Sequence, residues 1–204
     1  MLVSSAIIQS VDTMRRAGFA SLAYFYCDFR DDKKKDLRGL LSSLIVQLCH
    51  QSDSYCDTVS SLHQKQITGP PYPSDDTLRR CLKNILKLPG QAPVYLIVDA
   101  LDECPIGSHL SSPRDKVLML VRELMTSQFP NMRICVTSQP KADIRVVLEP
   151  LSFRSISVHD ESGHRGDIAR YIKSVVSTDP NTREWRTTDK ELVINVLKHK
   201  VDGM

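Results

Sequence analysis

An uninterrupted apolar segment that ends in acidic residues constrains the fold of this 204-residue chain more than any other feature. Residues 94–98, Val-Tyr-Leu-Ile-Val, are all apolar, and β-branched and aromatic side chains are among them. Such a run is typical of a strand that is buried on both faces of a parallel sheet. Because both faces must be covered, the segment favours an α/β domain with helices on either side of the sheet.

Three carboxylates, those of Asp99, Asp102 and Glu103, follow this segment within five positions. In open α/β sheets, ligands bind at the edge where the strands end. We therefore predict that Asp99 faces a magnesium ion, and that Asp102 and Glu103 lie near an attacking water. The alternative is that the strand simply leaves the core at Asp99 and enters a solvated turn. Three acids directly after one strand favour the metal site.

A phosphate-binding loop is missing from the sequence. No Gly-x-x-x-x-Gly-Lys-Ser/Thr segment occurs, and none of the eight glycines offers a substitute at the start of a helix. Such a loop supplies backbone N–H groups and a lysine to the phosphates of a nucleotide. Its absence predicts the loss of most nucleotide affinity.

The composition excludes several classes of partner. The chain is 41% hydrophobic and 25% charged, and its net charge of +3 is spread over interspersed acids and bases, which argues against nucleic acid binding. No apolar run approaches 18 residues, and no signal peptide is recognisable at the N-terminus. We therefore expect a cytoplasmic protein that does not bind membranes.

The six cysteines contain no C-x-x-C pair and are predicted to be reduced thiols, several of them in the core. The spacing of Cys49, Cys56 and His63 is compatible with zinc ligands, but no fourth ligand is evident. Exposed positions on helices explain these three residues equally well.

Apolar periodicity predicts helices and strands that alternate to about residue 160. Helical spacing is found over 4–18, 37–49, 75–88, 113–124 and 144–148, whereas residues 51–74 show no clear pattern. Strands are predicted at 22–27, 94–98, 134–137 and 155–158, and two helical stretches follow Gly166. We therefore assign residues 1–160 to an α/β core and residues 161–204 to a C-terminal helical segment.

Several segments resemble the NACHT class of signal-transducing P-loop NTPases, also called the STAND class. These are Val98–Glu103, Val136–Pro140, Tyr24–Arg30, Leu40–Leu48 and Val201–Met204, and the last three are similar to fungal, nephrocystin-3-like proteins. The resemblance covers nearly the whole chain. It implies a three-layer parallel sheet of P-loop NTPase type that lacks its first, central strand and carries a C-terminal helical extension.

The resemblance also implies roles for individual residues. Asp99 corresponds to the magnesium-binding Walker B acid, Asp102 and Glu103 to the acids that position the hydrolytic water, and Ser138 to a position in the sensor strand. Gln139 stands where the family usually has arginine, and a neutral amide cannot replace a guanidinium that contacts the γ-phosphate.

The absent central strand has a structural consequence. In the family it carries the phosphate loop and lies between the sensor strand and the last strand, so the resemblance implies that this chain starts just after that loop and stops within a helix end. Unpaired backbone groups would be left at the gap. We therefore expect marginal stability and the strand order 22–27, 94–98, 134–137, with 155–158 next only if the gap closes.

Two functions are compatible with this sequence. The resemblance implies a nucleotide-operated switch that binds ATP or GTP with Mg²⁺, hydrolyses it slowly, and signals to protein partners through flanking effector and repeat domains. The alternative is a non-catalytic scaffold or remnant that binds only protein partners. Because acids alone hold magnesium weakly, we expect weak or absent nucleotide binding and no catalysis by this chain.

Overall fold

A computed structural model describes residues 2–64, 72–107, 112–127, 129–157, 162–178, 182 and 185–201 of the chain. The chain divides into two compact units, Met1–Ser152 and Phe153–Met204. The predicted boundary after residue 160 falls outside the described ranges and stays a prediction.

The first unit is built on a parallel sheet of three strands, β1 (Ser21–Tyr26), β2 (Val94–Asp99) and β3 (Met132–Val136). The strand order is β1-β2-β3, as predicted from the sequence. Tyr26 is paired with Asp99 across the first ladder, and Val98 with Val136 across the second. The central strand β2 therefore ends level with both of its neighbours.

Six helices surround the sheet in the described part of this unit. They are α1 (Leu2–Arg16), α2 (Leu37–Cys49), α3 (Asp53–Gln64), α4 (Asp75–Leu86), α5 (Pro113–Thr126) and α6 (Ala142–Leu148). Side chains of Asp36, Ser74 and Ser112 cap the starts of α2, α4 and α5 by accepting hydrogen bonds from backbone N–H groups. Single-turn 3-10 helices follow β2 at Leu101–Glu103 and α6 at Glu149–Leu151.

The core has two parts because strand side chains alternate between the faces of the sheet. On one face, Leu22 and Ile97 pack with Val11 of α1. On the other face, Leu96 and Val98 belong to a larger cluster with residues of α2, α4 and α5. This larger cluster contains many fully buried side chains, each worth about 1.5–3 kcal/mol of burial free energy: Leu40, Leu41, Leu44, Leu48, Leu82, Ile85, Leu120 and Leu124.

The helix α3 was not predicted, because its sequence is mostly polar and lacks an apolar stripe. Tyr55 of α3 is buried. Its hydroxyl hydrogen-bonds to the hydroxyl of Ser21 and to the amide oxygen of Gln91. Contacts that are distant in sequence therefore stabilise this helix, and local periodicity cannot reveal them.

The predicted strand at 155–158 is wrong for residues 155–157, which are described and form no strand; Val158 lies outside the described residues. Residues 153–157 are all exposed. Alternation of Ser with Ile and Val suits a strand, but a short strand is stable only with a neighbouring strand to pair with.

The second unit contains α7 (Ser162–Thr178) and α8 (Thr187–Val201), which pack against each other. Ile172 and Val176 of α7 are its buried apolar residues. Both helices agree with the predicted helical stretches after Gly166. Within the described residues, no helix of either unit is long and apolar enough to cross a membrane.

Candidate functional site

The three predicted acids all lie at the rim of the sheet where the strands end. Asp99 is the last residue of β2, and a left-handed Ala100, with φ of 55°, turns the chain into the 3-10 helix that carries Asp102 and Glu103. The left-handed conformation is unfavourable for alanine. It is held in place by β3, because Thr137 accepts a hydrogen bond from Ala100 N at its Oγ1 (3.1 Å) and from Leu101 N at its carbonyl (3.0 Å).

Asp99 is a buried carboxylate with one unsatisfied oxygen. The residue is only 2% exposed to solvent, and its Oδ1 accepts a hydrogen bond from the Thr137 hydroxyl. Oδ2 is buried and has no hydrogen-bond partner in the described part of the chain. Because an ionised oxygen without a partner is costly to bury, this atom is suited to contact a cation.

Protein ligands for a cation are otherwise few. Among the residues that the structure describes, no group of three or more His, Cys, Asp or Glu side chains is arranged to hold a metal. Mg²⁺ usually keeps several waters and is bound by one or two carboxylates together with substrate phosphates. The donor set therefore fits a phosphate-bound Mg²⁺ better than an ion held by the protein alone.

Asp102 and Glu103 are both half-buried but have different surroundings. Asp102 Oδ1 accepts a hydrogen bond from Gln139 N at 2.9 Å, so this carboxylate connects the 3-10 helix to the segment after β3. Glu103 makes no side-chain hydrogen bond within the described ranges, and its charge acts on the exposed guanidinium of Arg30. Of the two, Glu103 has the carboxylate that remains available to a ligand.

Ser138 and Gln139 are both exposed at the same rim. The Ser138 hydroxyl donates a hydrogen bond to the carbonyl of Gln139 at 2.6 Å. The hydroxyl that contacts Asp99 belongs to Thr137, the preceding residue. The predicted role of Ser138 in binding a nucleotide stays a prediction.

Thr137 is a site residue that the sequence reasoning missed. Its Oγ1 donates to Asp99 and accepts from Ala100, so a single hydroxyl fixes both the acid and the turn after it. The sequence did contain one signal for this role, because Thr137 is a polar β-branched residue at the end of the predicted strand 134–137. Only the register between the two strands identifies that residue as the partner of Asp99.

Arg114 is a second missed residue, buried at 5% exposure near the start of α5. Its guanidinium donates to the carbonyls of Cys104 (2.9 Å) and Asp102, and pairs with Asp143 of α6 at 3.2 Å. It therefore holds the acid-bearing turn against two helices. A cation in the first turn of a helix opposes the helix dipole, and that conflict was a signal for a special role.

Two buried thiols lie beneath the acids. A hydrogen bond with the Cys104 thiol raises the pKa of Cys27, and burial and the negative charges of Cys104, Asp99 and Glu103 add to this effect. The same hydrogen bond lowers the pKa of Cys104. Cys27 therefore remains a neutral thiol, and it provides an uncharged surface below Asp99.

The main clefts found in the described part of the chain do not contain the acids. One is lined by residues such as Lys83, Pro89 and Phe129, and another by residues such as Arg15, Ser21 and Gln91. Both lie near residues that precede the strands, at the rim opposite Asp99.

Residues 1–139 match the family profile described as Nephrocystin 3, N-terminal. The chain belongs to the nephrocystin 3 N-terminal family. The part that matches this family includes the whole sheet and all of the predicted site residues. No curated protein and no solved structure matches the chain.

Membership of the nephrocystin 3 N-terminal family agrees with the coarser part of the resemblance inferred from the sequence. The match begins at residue 1 and ends at Gln139, whose backbone N–H binds Asp102. The helices α6, α7 and α8 lie beyond it.

Proposed function

We propose that this chain is a partial NACHT-type nucleotide-binding switch domain of P-loop NTPase type. It would retain the Walker B acid and the sensor strand of a fungal, nephrocystin-3-like signalling or defence protein, and lack the phosphate loop and its central strand. The observation that carries this proposal is the buried Asp99 Oδ2, which has no hydrogen-bond partner in the described residues. The family match supports the NACHT relationship.

In this function Asp99 would hold a Mg²⁺ ion together with the phosphates of ATP or GTP, and the ion would neutralise part of the phosphate charge. Thr137 orients Asp99 through its hydroxyl and Arg114 holds the turn, so that Glu103 and Asp102 would position a water molecule. Ser138 is placed at the same rim, where its hydroxyl can approach a phosphate.

The affinity for nucleotide is expected to be low. Without a phosphate loop, no row of backbone N–H groups and no lysine contacts the phosphates. We expect a Kd of about 1 mM or weaker, equivalent to no more than about 4 kcal/mol of binding free energy. Hydrolysis by this chain alone is not expected, although the resemblance to NACHT proteins implies a family of ATP or GTP hydrolases.

An NMR titration of the whole chain with Mg-ATP and Mg-GTP tests the proposal. The expected result is a saturable shift of the backbone amides of Ala100 and Thr137, which flank the Asp99 carboxylate. Asp99→Asn keeps the shape of the side chain and an oxygen for Thr137, but removes its charge, and should abolish the shift. Asp57→Asn, an exposed substitution on α3, serves as the matched control and should leave it unchanged.

A non-catalytic scaffold or remnant that binds only proteins is the second candidate. The neutral Gln139 favours it, since an amide does not provide the charged contact that a guanidinium makes with a γ-phosphate. The test adds either nucleotide at about 10 mM, ten times the expected Kd of about 1 mM. If the amides do not shift, the result favours this candidate and excludes the switch for this chain. In either case we propose protein partners reached through flanking effector and repeat domains.

A further inference from the structure

Cys49 and Cys56 form a close thiol pair at the junction of two helices. Cys49 is the last residue of α2, and Cys56 lies in the first turn of α3. The Cys56 thiol donates a hydrogen bond to the carbonyl of Cys49, with the sulfur and oxygen 3.2 Å apart. The nearby Cys56 thiol also contributes, after burial, to the raised pKa of the Cys49 thiol. The pair is therefore in contact before any chemical change.

The two thiols differ in their access to solvent. Cys56 is exposed and Cys49 is half-buried. Cys27 and Cys104 are also close to each other, but each is at most 3% exposed. An oxidant cannot reach them in the folded chain. Solvent access therefore favours reaction at the α2–α3 junction.

We propose that Cys49 and Cys56 form a reversible disulfide when the protein meets a low-molecular-weight disulfide such as oxidised glutathione. The Cys56 thiolate attacks one sulfur of the oxidant, forming a mixed disulfide and releasing one glutathione thiolate, which takes up a proton. The Cys49 thiolate then attacks Cys56 Sγ and releases the second glutathione. Two cysteine thiols are oxidised to one disulfide, and one oxidised glutathione is reduced to two thiols.

The order of the two steps follows from the surroundings of each thiol. Burial, together with the adjacent Cys56, raises the pKa of Cys49 to about 11. Cys49 is therefore almost fully protonated near neutral pH and is a poor first nucleophile. After Cys56 has formed the mixed disulfide, Cys49 is the neighbouring cysteine, with its carbonyl oxygen 3.2 Å from Cys56 Sγ, so proximity favours its attack.

The disulfide would close a segment that covers the outer edge of β1. Between the two cysteines lie Gln51, whose amide binds both backbone groups of Leu22, and Tyr55, whose hydroxyl binds Ser21. Closing a short loop restricts the unfolded chain. We expect oxidation to raise the midpoint of thermal unfolding by about 5 °C, from the loop-closure effect and the size of such a unit.

The experiment treats the whole chain with oxidised glutathione, blocks remaining thiols by alkylation, and maps the peptides by mass spectrometry. The expected result is a peptide pair linked through Cys49 and Cys56 that disappears with dithiothreitol, together with a reversible rise in the unfolding midpoint. Cys49→Ser should stop the reaction at the mixed disulfide on Cys56. Cys56→Ser should give neither the linked peptides nor the rise.

Cys135→Ser is the matched control, because Cys135 is a half-buried thiol outside the pair. It should keep both the linked peptides and the change in unfolding midpoint. A mixed disulfide that persists on Cys56 while Cys49 remains alkylatable would overturn the proposal. So would a bridge from Cys56 to Cys81, or linked peptides with no change in the unfolding midpoint.

Discussion

At the β1 edge of the sheet, side chains of α2 and of the turn after it bind the backbone groups that a further strand would use, whereas at the β3 edge those groups have no partner within the described residues of the first unit. Gln51 accepts a hydrogen bond from Leu22 N at 2.9 Å and donates one to Leu22 O at 2.6 Å. Gln47 binds Tyr24 N and Tyr24 O in the same way, at 3.1 and 2.7 Å. Both outward-facing residues are thus paired as in a ladder.

The spacing of the two glutamines explains why side chains at a helix end can replace a strand here. Gln47 lies in the last turn of α2 and Gln51 in the turn that follows it, and four residues of helix correspond to a rise of about 6 Å. Leu22 and Tyr24 are two residues apart on β1, which corresponds to about 6.6 Å. The two repeats nearly match, so successive amides meet successive outward-facing residues.

The β3 edge has no equivalent protection in the described part of the chain. Val94 N donates to Asn131 O at 2.8 Å, and Thr137 N donates to Val98 O at 2.9 Å. Because alternate residues of a parallel strand bond to opposite sides, Ile134 and Val136 direct their N–H and C=O groups away from β2. Proteins usually block or pair such an edge.

The comparison shows which edge terminates the sheet. Gln47 of α2 and Gln51 of the turn after it make β1 a closed end, while β3 keeps the geometry of an inner strand within the described residues. The resemblance inferred from the sequence places the absent central strand beside β3. That assignment and the expected marginal stability stay predictions, but the difference between the edges can be measured directly.

The largest expected effect comes from proline substitutions in β3. Cys135 faces β2 by the same alternation, so Cys135→Pro removes a ladder hydrogen bond and should lower the free energy of unfolding by about 3 kcal/mol or more. Ile134→Pro removes an outward N–H and should cost only about 1–2 kcal/mol, from lost packing. Denaturant unfolding of both variants is the measurement. Equal losses would show that Ile134 N–H has a partner.

Hydrogen exchange tests the comparison without mutation. The amide of Leu22 donates to Gln51, whereas the amide of Ile134 faces outward. We expect the Leu22 amide to be protected about 100-fold more strongly than that of Ile134, because only the former must be released by an opening reaction. Residue-resolved NMR exchange provides the measurement, with Val98 at the sheet centre as the protected reference. Similar protection at both edges would contradict the comparison.

Gln51→Leu tests the closed edge more directly. Leu22 is 4% exposed, so water cannot readily replace the lost amide. Leaving its N–H and C=O unpaired should lower the free energy of unfolding by about 2 kcal/mol. Gln9→Leu, on the exposed face of α1, is the matched control and should change it by less than about 0.5 kcal/mol. If the Gln51→Leu variant were as stable as the control variant, the result would contradict the stabilisation of the β1 edge by Gln51.

Gln47→Leu should have the smallest effect of the series, about 1 kcal/mol or less. Tyr24 is 37% exposed, so water can take the place of the amide on its backbone groups. The same denaturation measurement applies. If Gln47→Leu lowered the free energy of unfolding more than Gln51→Leu, solvent access would not determine how much each glutamine amide stabilises the fold.

Much of the fold could be predicted from the sequence because its elements have clear local patterns. The apolar spacing of α2 predicted its observed bounds, and the apolar run before Asp99 predicted β2. The helix α3 escaped prediction because its main buried contact, Tyr55, depends on Ser21 and Gln91, which are distant in sequence. The strand predicted at 155–158 had a suitable alternation, but residues 155–157 pair with no strand in the part of the chain that the structure describes.

The candidate site was predictable to a similar degree. A strand that ends in acids places them at one rim of a parallel sheet, and the structure has all three acids there. Thr137 and Arg114 could not be assigned as their partners, because residues separated in sequence by 38 and 12 positions contact Asp99 and Asp102 only after strands and helices have packed.

The sequence by itself determined the three strands of the sheet, most of the helices and the position of the acids after β2, because side-chain periodicity encodes which face of each element is buried. Only the tertiary structure decided that, within the described residues, one oxygen of Asp99 is bonded and the other is not, and that the β1 edge is closed while the β3 edge is open. Those outcomes depend on hydrogen bonds of about 3 Å between distant residues, and their geometry exists only once the register and the packing are set.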